Sequence, residues 1–186
     1  GSTEYDAQLE LAYAMADAGL AGAVATYVDV DSRAAAIDRL YFAVFLRLPD
    51  FGGFQYWIDR DDLSQAGMAD FFADSAEYRE RYADLDFADF LDQLYLDVLG
   101  RNPDEGGKAY WLKRLADPAD PVTRGTIVAF FTDSDELREL AALRSEIVAL
   151  TALFEDRMPR QAEIDAWTRL RGTTGLVDAI EQQFVS

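Results

Sequence analysis

The sequence has no histidine and no cysteine among its 186 residues. Their absence excludes serine–histidine and cysteine–histidine nucleophilic catalysis, and it excludes zinc sites built on imidazole or thiolate ligands. Disulfide bonds are excluded for the same reason. Carboxylate chemistry, of the kind that glycosidases use, is the main enzymatic option that remains.

The sequence also lacks long apolar runs and has few basic residues. The uncharged stretch from Gly19 to Val28 is too short to cross a bilayer, which takes roughly 20 apolar residues, so we predict no membrane insertion. The 17 basic residues stand against 35 acidic ones, which gives a net charge of −18. Because that charge repels phosphate groups, we predict that nucleic acid is not a partner.

The residues that are present favour a folded protein with a substantial core. Half of the chain is hydrophobic and 13% is aromatic, and we predict one domain over residues 1–186. The first residues are Gly1 and Ser2 rather than Met, so we expect the chain to be a segment of a larger protein.

An internal repeat organises this sequence. Nine residues of a first copy recur 54 positions later in a second copy. They are Leu40, Tyr41, Arg47, Pro49, Asp50, Gly52, Gly53, Tyr56 and Trp57, matched by Leu94, Tyr95, Arg101, Pro103, Asp104, Gly106, Gly107, Tyr110 and Trp111. Phe71, Phe72 and Ser75 recur 59 positions later. A third, degenerate copy keeps Leu150, Arg157, Pro159 and Trp167 but has lost the glycines.

The spacing of apolar residues predicts helices in each copy. Between Ile37 and Leu48, and again between Phe87 and Leu99, apolar residues recur at i, i+3, i+4 and i+7, as on one face of an α-helix. No alternating β pattern appears. We therefore predict an all-α fold, a helical repeat bundle of stacked copies with about three helices per unit of roughly 54 residues.

The predicted boundaries follow from the repeat. Residues 1–32 form an N-terminal helical cap, 33–83 the first copy, 84–142 the second and 143–186 the degenerate third. A capping box is predicted from Asp74 with Glu77, where the last helix of the first copy would begin.

Each copy turns a corner between its first two helices. In the second copy we predict that Gly100 ends the first helix in the left-handed conformation, that Asn102 caps the next, and that Pro103-Asp104 lies in its first turn. Leu46 and Leu48 stand at the positions of Gly100 and Asn102 in the first copy, so that corner lacks the favoured capping residues.

Three further interpretations concern the repeated residues. The glycines at 53 and 107 permit a close approach of a neighbouring helix, and Trp57 and Trp111 are predicted to be equivalent interior wedges. Arg47, Arg101 and Arg157 are predicted to bond the terminal carbonyls of the preceding helix or a nearby carboxylate.

The second copy carries a family resemblance. Its residues Leu94-Tyr95, Val98-Leu99-Gly100-Arg101-Asn102-Pro103-Asp104, Gly106-Gly107, Tyr110-Trp111, Phe130-Phe131-Thr132-Asp133-Ser134 and Glu136-Leu137 resemble the bacterial family called domain of unknown function 4214. The first copy is similar from Leu40 to Tyr78. The Arg-x-Pro-Asp corner is also similar to the helical linker domains of phycobilisomes. The resemblance implies a domain without enzymatic activity in a large secreted or cell-surface protein.

We therefore predict a non-enzymatic module, without a cofactor, that binds a protein partner or other copies of itself. A glycan-binding module is the alternative, with Tyr56-Trp57 and Tyr110-Trp111 as stacking platforms, although core packing also explains these pairs. A carboxylate-dependent glycoside hydrolase ranks third. Its candidate acids are Asp59, Asp61, Asp62, Asp84, Asp86 and Asp89, for which helix capping and a solvated surface are the competing interpretations.

Calcium is the one metal that the sequence leaves open. Asp29 with Asp31, and Asp104 beside Asn102, place several oxygen ligands close together, yet neither segment follows the order of an EF-hand loop. Helix N-capping is the favoured interpretation of both segments. We expect at most a modest stabilisation of the fold by calcium.

Overall fold

The computed structural model describes residues 20–60, 62–120 and 122–184. Their regular secondary structure is entirely helical, which confirms the all-α prediction. The helices are α1 (Leu20–Val28), α2 (Arg33–Phe45), α3 (Phe51–Ile58), α4 (Gln65–Ala73), α5 (Ala76–Tyr82), α6 (Phe87–Leu99), α7 (Glu105–Ala116), α8 (Arg124–Thr132), α9 (Asp135–Glu155), α10 (Gln161–Arg171) and α11 (Leu176–Phe184). Within those ranges, no helix has both the length and the apolar character that a membrane span requires.

The chain forms two compact units. Of the residues that the structure describes, unit A comprises those between 36 and 141, and unit B comprises 20–35 with 142–184. Nearly all of the first and second copies lies in unit A, whereas the third copy lies in unit B. The predicted cap falls largely on residues 1–19, outside the described residues. The prediction of one domain over the whole chain stays a prediction.

The first copy contains four helices, α2 to α5, one more than the predicted number of about three. Ser64 begins α4 by accepting the N–H of Gly67, and Ser75 begins α5 by accepting the N–H of Tyr78. The predicted capping box at Asp74 is wrong, because Asp74 ends α4 and the serine beside it makes the cap. A serine hydroxyl at the N-cap satisfies a backbone N–H that the helix leaves without a partner.

The predicted boundary after residue 142 falls inside the continuous helix α9. The first helices of the other two copies start at a capping side chain. Ser32 accepts the N–H of Ala35 before α2, and Asp86 accepts the N–H groups of Ala88 and Asp89 before α6. The matching residue of the third copy is alanine, which cannot cap and which favours helix. The last helix of the second copy therefore continues into the first helix of the third.

Helices α4 and α8 hold the two copies of unit A together, and they cross in opposite directions. Gln65, at the start of α4, donates to the hydroxyl of Thr132, at the end of α8 (2.8 Å). Gly125, near the start of α8, lies against Asp70 and Ala73, near the end of α4. Matching helices that meet antiparallel are consistent with a rotation that relates the two copies.

The crossing depends on a small residue. A Cβ at Gly125 would lie 3.3 Å from the Cα of Asp70 and 2.5 Å from its Oδ1, so a side chain there would force the carboxylate of Asp70 to move and the two helices to separate slightly. The centre of the crossing is apolar, with Ala69 and Val128 both fully buried. These two residues occupy matching positions in the two copies, as a rotational relation requires.

Candidate functional site

The corner residues take the same backbone conformation in all three copies. Gly100 ends α6 with φ of 67°, which confirms its predicted left-handed conformation. Leu46 and Asp156, at the matching positions, have φ values of 53° and 52°. A side chain in this region is strained. The geometry of the corner therefore persists where the sequence does not supply glycine.

The side chain that caps the second helix is an aspartate. Asp50 accepts the N–H of Gly53 and Asp104 accepts that of Gly107, each at 2.8 Å. Asn102 is therefore not the cap, and the prediction that placed Asp104 in the first turn is wrong, because the helix begins two residues later than predicted. Because Pro103 precedes the N-cap, it lies outside the helix and restricts the backbone of the segment that leads into it.

The corner arginines bind carboxylates, as predicted. Arg47 donates from two nitrogens to Glu77 (3.0 and 3.1 Å), and Arg101 does the same to Glu136 (2.7 Å for both). Hydrogen bonding to these guanidinium groups holds the pKa of both glutamates below its ordinary value. The pairs tie each corner to the helix that closes its copy.

The same arginines also meet a carbonyl, although not one of the preceding helix. Each Nη1 donates to the residue that follows its own, at 3.1 Å for Arg47, 3.2 Å for Arg101 and 3.0 Å for Arg157. The guanidinium carbons of Arg47 and Arg101 lie 5.5 and 5.1 Å from the ring centroids of Tyr41 and Tyr95. The contacts are structural, since they link backbone, ring and carboxylate of the chain itself.

The second glycine of each pair accommodates a tyrosine hydroxyl. A Cβ at Gly107 would lie 2.7 Å from Oη of Tyr95, and a Cβ at Gly53 would collide with Oη of Tyr41 in the same way. The close neighbour that the glycines predicted is thus a side chain of the preceding helix. Burial raises the pKa of both tyrosines, so each hydroxyl stays protonated at neutral pH.

Trp57 and Trp111 are buried, in line with their predicted role as wedges, and Trp167 of the third copy is buried as well. Trp57 is 4% exposed, Trp111 3% and Trp167 fully buried. Phe71 meets Trp57 edge-on at a centroid distance of 5.2 Å, and Phe130 meets Trp111 edge-on at 4.9 Å. The tryptophans themselves are therefore inaccessible to a stacking sugar.

The partners of these tryptophans form two exposed patches, which we call aromatic clusters. The first consists of Tyr56, Trp57, Arg60, Asp62 and Phe71, and the second of Tyr110, Trp111, Arg114, Asp120 and Phe130. Phe71 and Phe130 are 60% and 57% exposed, and Tyr56 and Tyr110 are 49% and 53% exposed. Large apolar side chains exposed at matching positions of both copies are typical of an interaction surface.

The polar groups of both clusters are bonded to each other. In the first, Arg60 donates to the hydroxyl of Tyr56 (2.6 Å) and to Asp62 (3.0 Å). In the second, Arg114 donates to the hydroxyl of Tyr110 (3.2 Å) and to Asp120 (2.6 and 3.0 Å). The bond from Arg114 holds the pKa of Asp120 below its ordinary value. Each cluster thus presents aromatic rings without a free charge of its own.

The acids proposed for glycoside hydrolysis have local structural roles. Asp62 pairs with Arg60, Asp86 caps α6, and Asp59 ends α3. Asp61 lies outside the described residues. Such hydrolysis requires two carboxyl groups that face each other across a cleft. Helix ends and an ion pair explain the positions of Asp59, Asp62 and Asp86.

The calcium candidates likewise bond the backbone. Asp29 accepts the N–H of Asp31 at 2.8 Å, and Asp104 caps α7. Among the residues that the structure describes, no group of three or more acidic side chains is arranged to hold a metal ion. The expected effect of calcium on stability stays a prediction.

Sequence reasoning missed the most exposed residues of the clusters. Phe71 and Phe130 repeat in the sequence, but a Phe-Phe pair in a helix is usually assigned to the core. Within each pair the second ring is buried and the first is exposed. The signal was present in the repetition of Arg60 as Arg114, four residues after Tyr56 and Tyr110, because that spacing places both side chains on one helix face.

Comparison with known proteins gives one match. The model of the family described as Domain of unknown function (DUF4214) matches residues 69–141. The matched segment runs from α4 through the start of α9 and includes the second corner and the second aromatic cluster. No curated protein and no solved structure matches the chain.

Proposed function

We propose that the chain is a non-enzymatic protein-interaction module, in keeping with the match of residues 69–141 to the model of the family described as Domain of unknown function (DUF4214). We place it in a larger secreted or cell-surface bacterial protein, as the family resemblance implies. The observation that carries the proposal is the pair of aromatic clusters, with a phenylalanine more than half exposed at matching positions of both copies. Exposure of an apolar ring does not stabilise the fold, so its occurrence at matching positions of both copies needs another explanation.

The chemistry of the clusters favours a protein partner over a glycan. A sugar site combines a stacking ring with polar groups that hydrogen-bond hydroxyls. Here the most exposed ring is phenylalanine, which has no hydrogen-bonding group, and the arginine and aspartate beside it are bonded to each other. Aromatic residues, by contrast, are enriched in protein interfaces. Self-assembly is disfavoured because copies with a net charge of −18 repel each other.

The absence of enzymatic activity is part of the proposal. It is supported by the lack of histidine and cysteine and by the structural roles of Asp62 and Asp86 described above. Activity towards any glycoside that depends on two of the candidate carboxylates would overturn it.

Capture from the exported and envelope proteins of the source organism tests the interaction. The wild-type domain is compared with the double variant Phe71→Ser and Phe130→Ser, and with a control that carries Leu96→Ser and Leu140→Ser, two exposed aliphatic residues outside the clusters. We expect one protein to bind the wild type and the control and to be lost with the cluster variant. Circular dichroism checks that all three are folded.

Two results would count against the proposal. One is a captured protein that binds the cluster variant as well as the wild type. The other is a saturable response on a glycan array that the cluster variant loses, since this would transfer the site to the glycan alternative.

A further inference from the structure

We propose that each aromatic cluster docks a basic segment of the partner protein, so that one chain has two equivalent sites for arginine or lysine side chains. The proposal rests on the interaction function above and adds the chemistry and the number of sites. Three features of the described residues support it, namely the open rings, the charge around them and the relation between the two copies.

The rings are the first feature. Phe71 and Phe130 keep more than half of their surface exposed while one side rests on the buried tryptophan. An exposed aromatic face attracts a cation through its quadrupole. The neighbouring tyrosines already hold a guanidinium, since the carbons Cζ of Arg60 and Arg114 lie 5.4 and 5.6 Å from the ring centroids of Tyr56 and Tyr110. The phenylalanines are the rings left for an incoming cation.

The charge is the second feature. Arg60 and Arg114 are bonded to Asp62 and Asp120, so neither cluster offers an uncompensated cation to an acidic partner. An exposed aspartate ends the helix three residues after each phenylalanine, at 74 and 133, and Asp133 is paired with Arg138. Together with the net charge of −18, this arrangement complements a basic surface and opposes an acidic one.

The duplication is the third feature. Phe71 and Phe130 occupy matching positions of α4 and α8, and each lies edge-on to the tryptophan of its own copy. The chemistry on the two helices is the same, with Tyr56 and Arg60 in the first cluster and Tyr110 and Arg114 in the second. Equal chemistry predicts equal affinity, and hence two bound segments per chain.

A titration with a synthetic peptide of six Arg-Ser repeats tests the proposal on the intact chain. Indole N–H signals in NMR spectra report each site separately, because Trp57 lies under Phe71 and Trp111 lies under Phe130. We expect the peptide to shift both signals with similar midpoints and to leave the signal of Trp167 unchanged. Calorimetry on the same samples should give two peptides per chain.

Neutral substitutions separate docking from general attraction to an acidic protein. Phe71→Ser should weaken binding at its own site about 3- to 30-fold, the range for a cation over a ring, and should leave the response of Trp111 intact. Phe130→Ser should do the reverse. Leu140→Ser, at a residue 63% exposed outside the clusters, keeps the charge and should leave both sites unchanged.

The proposal is overturned if the phenylalanine variants bind the peptide as the wild type does, or if a single peptide binds per chain. It is also overturned if the peptide moves no indole signal while the capture experiment still yields a partner that the cluster variant loses. In that case the interaction function stands and only the basic character of the partner fails. If the capture experiment fails as well, both proposals fall.

Discussion

The first two corners of the chain differ from the third by a linked set of substitutions. In the first two, a tyrosine hydroxyl lies against a glycine, an aspartate caps the helix, and the arginine binds a glutamate 30 or 35 residues away. In the third, Thr151 replaces the tyrosine, Glu163 replaces the glycine and Arg160 replaces the aspartate. The three exchanges have one physical explanation.

The tyrosine makes the glycine necessary. Without the tyrosine hydroxyl, the third corner has room for a side chain at position 163, and that side chain takes over two functions. Glu163 binds Arg157 (2.7 and 2.9 Å), and it accepts the backbone N–H of Arg160 (2.7 Å), the residue where an aspartate cap is missing. In the first two corners the arginine therefore binds a glutamate of a distant helix, whereas in the third it binds a glutamate six residues away.

The tryptophan wedge is what all three copies share, and removing it should have the largest effect. Trp57→Ala, Trp111→Ala and Trp167→Ala should each lower the free energy of unfolding by about 3–5 kcal/mol, since each empties a buried site. Chemical denaturation of the three variants measures these values. Asp62→Ala, at an exposed ion pair, is the control and should be nearly silent. A dispensable Trp167 would mean that the third copy no longer uses the repeat's core.

The tyrosine–glycine contact can be tested by a double-mutant cycle. Gly107→Ala should destabilise unit A by about 1–3 kcal/mol because its Cβ overlaps the tyrosine hydroxyl. In a Tyr95→Phe background most of that cost should disappear, which gives a coupling energy between the two positions. The neighbouring Gly106→Ala is the matched control. Its Cβ meets nothing closer than 3.4 Å, so it should instead stabilise the helix by about 0.5–1 kcal/mol.

Additive effects of the two substitutions at 95 and 107 would contradict this explanation of the glycine. They would also remove the reason for linking the loss of the glycine in the third copy to the loss of its tyrosine.

How much could be predicted depended on the range of the interactions. The helices, the left-handed Gly100 and the arginine–carboxylate pairs follow from local patterns or strong chemistry. The antiparallel crossing of α4 and α8 could not be predicted, because a tandem repeat does not specify whether its copies stack or face each other. Phe72 is buried against Tyr41, Phe45 and Trp57 of its own copy, whereas Phe71 contacts Trp57 and stays exposed. The sequence does not show which of two adjacent phenylalanines faces the core, so it could not separate the aromatic clusters from the core.

The prediction that Asn102 caps the helix of the second corner was wrong for a different reason. Asn102 and Asp104 are both favoured N-caps, and helical pattern alone does not fix where a helix begins within two residues. Glycine at 107 was the deciding signal, since its N–H is the one that Asp104 accepts.

The arginine pairs give a third, smaller contrast. Glu163 is 16% exposed, whereas Glu136 is 41% exposed. Glu163→Gln should therefore cost about 1–2 kcal/mol, and Glu136→Gln less than about 1 kcal/mol because solvent screens it. Thermal melts at pH 7 measure both. Equal costs would show that the local and the distant pairs are interchangeable.

The same pairs set a dependence on acid. The pKa values of Glu77, Glu136 and Glu163 are all lowered in the folded protein, chiefly by hydrogen bonds from their arginines. A lowered folded pKa contributes stability that is complete above the ordinary glutamate value of about 4.3 and is lost as the pH falls below it. Melts between pH 7 and pH 3 should show this loss, and the Glu163→Gln variant should show less of it.

The left-handed corner residue offers the finest test, because its three occupants share one conformation and differ only in the side chain. Leu46→Gly relieves the strain of a side chain at φ of 53°, and it should stabilise unit A by up to about 1 kcal/mol, less the greater chain entropy that glycine loses on folding. Gly100→Ala is the reverse experiment. Its Cβ would meet no atom within 4 Å, so a cost of about 1 kcal/mol would measure strain alone. If Leu46→Gly instead destabilises the protein, the contacts of the partly exposed leucine outweigh its strain. Packing would then explain why the first corner has leucine where the second has glycine.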